Sequence, residues 1–147
     1  MKSTLSFLAI LVLTITITKT ANAHCEVPCG IYADEMRFKQ MLEDKETIAK
    51  AIANINELAG KHDVQSLNQL VRWVNTKEDH ATKTQQVIAQ YFMTQRIKPD
   101  KEGYEAKLKA AHAVMVAAMK CKQSADAATA VALEKAIMAF HKAYEGK

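Results

Sequence analysis

The spacing of apolar residues beyond position 33 is the feature that most restricts the fold of this chain. Apolar side chains recur there at intervals of three and four residues, as they do along one face of an α-helix. Proline, which interrupts helices, occurs only as Pro28 and Pro99, and glycine occurs four times. The sequence therefore predicts an all-α protein with few breaks between its helices.

Four helices fit between these breaks. The first is predicted over about 34–59 with Gly60 following it, the second over about 63–96, the third over about 101–122, and the fourth after an N-cap at Ser124. The second would reach ~50 Å, a length that allows a kink within 75–80. Four amphipathic helices with short connections predict an antiparallel up-and-down four-helix bundle over about 34–145.

The same spacing indicates which side chains face the inside of the bundle. Polar Lys45, Glu78 and Gln85 also fall on inward positions. A long side chain can reach solvent along an apolar stripe, and this explanation is favoured for Lys45. Glu78 and Gln85 are left open between that explanation and a polar subunit interface or polar surroundings of a site. The predicted inward residues are Phe38, Met41, Ile48, Ile52 and Ile55; Leu67, Val71, Val74, Ala81, Ile88 and Phe92; Tyr104, Leu108, Ala111, Met115 and Met119; and Ala130, Leu133, Ile137, Phe140 and Tyr144.

Residues 1–23 have the pattern of a secretory signal peptide. Lys2 precedes an uncharged, largely apolar run over 5–18, and the segment ends in Ala-Asn-Ala, a small-x-small cleavage site. The run is too short and too rich in threonine to span a bilayer with roughly 20 apolar residues, which disfavours a retained membrane anchor. We expect cleavage after Ala23 and export to the periplasm or the medium. Residues 24–147 would then form one domain without a membrane attachment.

The charge of the chain is nearly balanced. It has 20 Lys and Arg against 16 Asp and Glu, and removal of Lys2 and Lys19 with the leader lowers the formal net charge from +4 to +2. Nucleic-acid binding is disfavoured because it is typical of strongly basic domains. A small positive excess would assist a small anionic substrate only if it were concentrated near the site.

Cleavage after Ala23 would make His24 the first residue, directly before Cys25. Its free amine has an ordinary pKa of ~7.7–8.0, so the neutral form that binds metals is accessible near neutral pH. The amine, the amide nitrogen of Cys25 and the Cys25 thiolate can close chelate rings on one ion. The Cys29 thiolate can supply a fourth donor and the imidazole an axial one. Tetragonal coordination of this kind suits Ni(II) or Cu(II).

A disulfide between Cys25 and Cys29 is the competing interpretation of the same spacing. Pro28 and Gly30 would help the chain turn back in either case. The position of His24 at the cleavage point favours the metal site. Since the chain has three cysteines, not all can pair internally, and Cys121 is expected to be a free thiol within the bundle.

Residues 24–32, with the sequence HCEVPCGIY, resemble the nickel hook of nickel-containing superoxide dismutases, whose pattern is His-Cys-x-x-Pro-Cys-Gly-x-Tyr at the processed N-terminus. Every specified position is matched. The resemblance implies one nickel ion per subunit, bound by the amine and imidazole of His24, the amide nitrogen and thiolate of Cys25, and the Cys29 thiolate. It also implies dismutation of superoxide to dioxygen and hydrogen peroxide as the metal cycles between Ni(III) and Ni(II).

The resemblance extends to residues outside the metal ligands. It implies that Tyr32 lies over the open axial face and controls the access of small anions, with Tyr91 of a Tyr-Phe pair beside it. It also implies a homohexamer of four-helix bundles. Members of the family tether the axial imidazole with a glutamate and an arginine, and the candidates for these partners are Gln40 or Glu43, and Arg72 or Lys77.

Two other functions remain open on the residues alone. The hook could serve a non-catalytic nickel- or copper-binding or trafficking bundle, or a Cys25–Cys29 disulfide could serve a structural bundle. The other histidines, which are expected to be solvated or hydrogen-bonded rather than metal ligands, are His62, His80, His112 and His141.

Overall fold

The computed structural model describes residues 30–146, and these residues fold into a bundle of four α-helices. The helices are α1 (Asp34–Leu58), α2 (Val64–Gln86), α3 (Tyr104–Gln123) and α4 (Ala127–Glu145), and α2 continues directly into a π-helical segment, Val87–Arg96. Helix α1 packs mainly on α2, and α3 mainly on α4. This confirms the predicted all-α four-helix bundle. The expected leader, 1–23, and most of the expected hook, 24–29, lie outside the described residues.

Helix ends agree with the sequence at two positions and differ at a third. Gly60, with φ +84°, follows α1, and Asp63 caps α2 by accepting the Ser66 N–H at 2.9 Å. The cap of α4 is Asp126, which accepts the Ala128 N–H at 2.9 Å, so the prediction of Ser124 was wrong. Ser124 instead bonds the Asp126 N–H, which places it just before the cap. Within 75–80, α2 shows no break.

Most of the predicted inward residues are buried, but the first turns of α2 are not. Leu67, Val71 and Val74 are exposed, because the first turns of α2 extend past the level at which α3 ends within the described part of the chain. Lys77 of α2 lies beside the end of α3. Its Nζ donates hydrogen bonds to the carbonyls of Cys121 at 2.6 Å and Lys122 at 2.5 Å.

One further inward prediction needs correction. Met119 is exposed, and Val114, Ala118 and Cys121 form the buried face of α3 in its place. Five of the other predicted inward residues are half-buried, and these are Ile55, Tyr104, Leu108, Met115 and Tyr144.

The polar residues on inward positions have specific partners. Lys45 is buried and forms ion pairs with Glu46 at 2.7 Å and Glu134 at 2.8 Å, so it does not extend freely into solvent. Gln85 donates to the Met115 carbonyl of α3.

Aromatic side chains fill the end of the core nearest the start of α1. Phe92 lies 4.9 Å from both Phe38 and Phe140 and 5.2 Å from Tyr144, measured between ring centroids. The first turn of α1 and the π-helical segment meet over this cluster. Within residues 30–146, no helix combines the length and apolar character needed to cross a membrane.

Candidate functional site

The two site tyrosines expected from the sequence lie against each other near the start of α1. Tyr32 is 40% exposed and Tyr91 only 3% exposed, and their rings meet edge to face with centroids 5.9 Å apart. Gly30 has φ +81°, a left-handed conformation that favours glycine, so the chain turns sharply here. The expected ligands lie outside the described residues; they are His24, Cys25 and Cys29.

Asp34, the first residue of α1, accepts four hydrogen bonds. Tyr91 Oη donates at 2.5 Å and Tyr144 Oη at 2.8 Å, while Arg96 donates through Nε at 2.9 Å and Nη2 at 2.6 Å. Burial of Asp34 opposes its ionisation, but the hydrogen bonds from Arg96, Tyr91 and Tyr144 outweigh it and lower the pKa of the carboxyl. Asp34 is therefore a fully ionised acceptor. We refer to Asp34, Arg96, Tyr91 and Tyr144 as the Asp34 cluster.

The two phenols of the Asp34 cluster are held in their neutral form. Burial, followed by the hydrogen bond to Asp34, raises the pKa of Tyr91 to about 12, and the same two causes raise the pKa of Tyr144 to about 12. Tyr91 Oη also accepts the backbone N–H of Ala33 at 2.8 Å. One hydroxyl group thus links the carboxylate of Asp34 to the backbone just before α1.

Arg96 connects the Asp34 cluster to Tyr32. Its guanidinium carbon lies 4.2 Å from the centroid of the Tyr32 ring, within the range of a cation–π contact. Its hydrogen bonds to Asp34 raise the pKa of Arg96 above its ordinary value, so the side chain stays charged. The cation beside Tyr32 is therefore partly neutralised by the carboxylate on its other side.

The π-helical segment explains how Tyr91 and Arg96 reach the same carboxylate. The two residues are five positions apart, which on an α-helix turning ~100° per residue would separate them by about 140°. In a π-helix, residues five apart are joined by the backbone hydrogen bond and lie one turn above each other. The bond from Ile97 N to Phe92 O, at 2.8 Å, has this spacing.

The sequence-based candidates for an acid–arginine pair do not pair with each other in the described residues. Gln40 accepts a hydrogen bond from Arg37 at 3.0 Å, Lys77 is engaged with the end of α3, and Arg72 is exposed. The acid–arginine pair that contacts Tyr32 is Asp34–Arg96. The sequence shows that Asp34 lies next to the hook. Arg96 could not be recognised in the same way, because the second helix was assumed to have α-helical spacing throughout.

The remaining histidines and the third cysteine do not enter this site. His141 Nε2 lies 3.2 Å from Glu35 and 3.1 Å from Glu145, and these three residues are the one group in the described part of the chain whose ligand atoms could approach a common metal ion. Since His141 Nε2 already contacts both carboxylates, the group is explained as a hydrogen-bonded cluster at the surface. His80 pairs with buried Asp44 at 2.6 Å. Cys121 is a free, buried thiol, as predicted.

A protein-family model described as nickel-containing superoxide dismutase matches residues 19–147. The matched range includes the expected hook as well as the whole bundle. No individual curated protein and no solved structure matches the chain.

Proposed function

The chain belongs to the nickel-containing superoxide dismutase family, and we propose that it dismutes superoxide at a nickel site formed by the first residues of its mature chain. Family membership makes the protein a nickel-dependent oxidoreductase with one nickel ion per subunit. What we add as a proposal is the location of the metal, the ligand set and the parts played by the two tyrosines.

The donor set on residues 24–29 fits nickel chemically. His24 would bind through its amine and imidazole, Cys25 through its amide nitrogen and thiolate, and Cys29 through its thiolate. Nitrogen and thiolate donors in a tetragonal arrangement suit nickel, and the electron-rich thiolates and amide bring its trivalent state within reach. When bound, nickel supplies one-electron chemistry through its Ni(III) and Ni(II) states. The overall reaction consumes two superoxide ions and two protons and yields one dioxygen and one hydrogen peroxide.

Tyr32 and Tyr91 would control the approach of superoxide. Tyr32 is the more exposed of the two, so its hydroxyl can donate a hydrogen bond to a small anion entering from solvent. Tyr91 is buried behind it and already donates to Asp34, so we assign it to holding the base of the site instead of binding the substrate. The observation that carries the proposal is a family match that spans the hook motif and the bundle together.

Export, processing and assembly belong to the same proposal. Cleavage after Ala23 would liberate the His24 amine in the periplasm or the medium. The mature subunits would assemble as a homohexamer, as the family resemblance implies.

A variant that retains one residue before His24 tests the ligand set. The extra residue converts the amine into an amide, which cannot coordinate in the same way, while the bundle is unaffected. We expect nickel-dependent superoxide consumption to be lost and circular dichroism to be unchanged. The control is the chain that begins at His24, analysed for nickel content and intact mass. Full activity with the extra residue present would rule out the proposed ligands.

The same measurements separate the alternatives. A metal carrier would begin at His24 and retain nickel or copper without consuming superoxide. A structural bundle would show the mass of an internal disulfide and bind neither metal.

A further inference from the structure

We propose that Asp34 is a positioning residue of the dismutase site. Through Arg96 it holds the Tyr32 side chain in place, and through Tyr91 it holds the backbone before α1 in place. The role assigned to Tyr32 rests on the proposed function. The contacts that support the positioning role belong to the folded chain itself and do not depend on bound nickel.

The Asp34 carboxylate can accept only a limited number of hydrogen bonds. An ionised carboxylate is an acceptor only, with about four lone-pair positions. The four donated hydrogen bonds, two of them from Arg96, occupy these positions. Asp34 therefore has no capacity left for a substrate or a ligand, and its effect on the site must pass through the residues it holds.

Arg96 connects Asp34 to Tyr32. A guanidinium group is planar, and two hydrogen bonds to one carboxylate fix its plane as well as its position. The face of Arg96 then lies 4.2 Å from the centre of the Tyr32 ring. Tyr32 is 40% exposed, and Arg96 lies over its ring while the edge of Tyr91 borders it, so Arg96 restrains the direction of its hydroxyl.

Tyr91 connects Asp34 to the backbone before α1. Ala33 is the N-cap of α1 and has no side chain that could cap a helix. Its own N–H is bonded by Tyr91 Oη at 2.8 Å, while the Tyr91 proton is directed at Asp34. The path of the chain from α1 back to Tyr32 is thus fixed from the π-helical segment, and Asp34 orients the hydroxyl that fixes it.

Tyrosine resonances provide a direct test. The chain contains four tyrosines, and Tyr104 lies outside the Asp34 cluster. With ¹³C-labelled tyrosine in the metal-free full chain, Asp34→Asn should shift the ring signals of Tyr32, Tyr91 and Tyr144 and leave that of Tyr104 in place. The matched control is Asp79→Asn, on the exposed surface of α2, which should move none of them.

A second variant separates geometry from charge. Arg96→Lys keeps the positive charge but loses the planar fork, so it should shift Tyr32 while Tyr91 remains bonded to Ala33. In the nickel-loaded protein, the affinity for azide, used as an anion probe, should change by roughly threefold or more in this variant at unchanged nickel content.

These measurements distinguish failure of the positioning role of Asp34 from failure of the proposed dismutase function. An unmoved Tyr32 signal in Arg96→Lys overturns the positioning role, and this variant decides alone if Asp34→Asn fails to fold. Because the resonances are measured without nickel, they answer the question even if the loaded protein consumes no superoxide. Shifted resonances with unchanged azide affinity would also overturn the proposal, since Tyr32 would then be positioned without consequence for the site.

Discussion

Replacing Tyr91 by phenylalanine should change how the stability of the protein depends on pH above 10. Burial and the hydrogen bond to Asp34 raise the pKa of Tyr91 from 10.0 to about 12 in the folded chain. In the unfolded chain the phenol ionises near 10. The stabilisation that arises from this difference is fully present below pH 10, and it is lost as the pH rises through 10 towards 12.

The size of the effect follows from the shift. One pKa unit corresponds to 1.36 kcal/mol, so the free energy of unfolding that depends on Tyr91 should fall by about 1.4 kcal/mol between pH 9 and pH 11. Little discount for solvent screening is needed, because Tyr91 is 3% exposed. Below pH 10, Tyr91→Phe should cost about 1–3 kcal/mol, since the Ala33 N–H and the Asp34 carboxylate each lose a partner.

Urea unfolding at pH 9, 10 and 11, followed by circular dichroism, measures the difference between the two proteins. The free energy of unfolding of Tyr91→Phe is lower than that of the parent, and this deficit should shrink by about 1.4 kcal/mol from pH 9 to pH 11, because only the parent loses stability through Tyr91. The matched control is Tyr104→Phe, which removes a phenol outside the Asp34 cluster. A deficit that stays constant from pH 9 to pH 11 would refute the reasoning.

Two predictions concern the rest of the bundle. Lys77→Met should lower the free energy of unfolding in urea by about 2–4 kcal/mol, because the Cys121 carbonyl loses a charged donor in a buried position. The control, Lys120→Met on the exposed side of α3, should change this free energy by no more than about 0.5 kcal/mol. Equal effects of the two substitutions would contradict the role of Lys77. Cys121 is buried, and its burial raises the pKa of the thiol. Alkylation of Cys121, mapped by mass spectrometry, should therefore proceed only as fast as the protein unfolds. Rapid labelling under native conditions would contradict this placement.

The α-helical periodicity identified the bundle and most of its core, because burial of one face is a local property of each helix. It failed for Leu67, Val71 and Val74, since the pattern shows which face is apolar but not where the neighbouring helix ends. The structure shows that α3 stops at the level of Lys77. The contact between Lys77 and the α3 carbonyls joins residues more than forty positions apart, and no local pattern indicates it.

Sequence reasoning named Tyr32 and Tyr91 as candidate site residues through the family resemblance, but it did not indicate the cluster that holds them. Asp34, Arg96 and Tyr144 come from three different elements, and only the packing of the bundle brings them together. Arg96 was further concealed because a π-helical register is set by tertiary contacts and leaves no distinct apolar period. A helix assumed to be α-helical throughout places Arg96 and Tyr91 on different faces.

The π-helical register itself can be tested by deletion. Removing Met93, an exposed residue between Tyr91 and Arg96, would place these two residues four positions apart, a spacing at which an α-helix presents both on one face. We therefore expect this deletion to preserve the ring signals of Tyr32, Tyr91 and Tyr144.

Removing Ala89 is the matched control, because it keeps the five-residue spacing and rotates Tyr91 relative to the buried face of α2. The Ala89 deletion should shift the ring signals of Tyr32, Tyr91 and Tyr144. If the Met93 deletion perturbed them as strongly as the Ala89 deletion, the convergence on Asp34 would not depend on the spacing between Tyr91 and Arg96. The π-helix would then need a cause other than bringing these two side chains to one carboxylate.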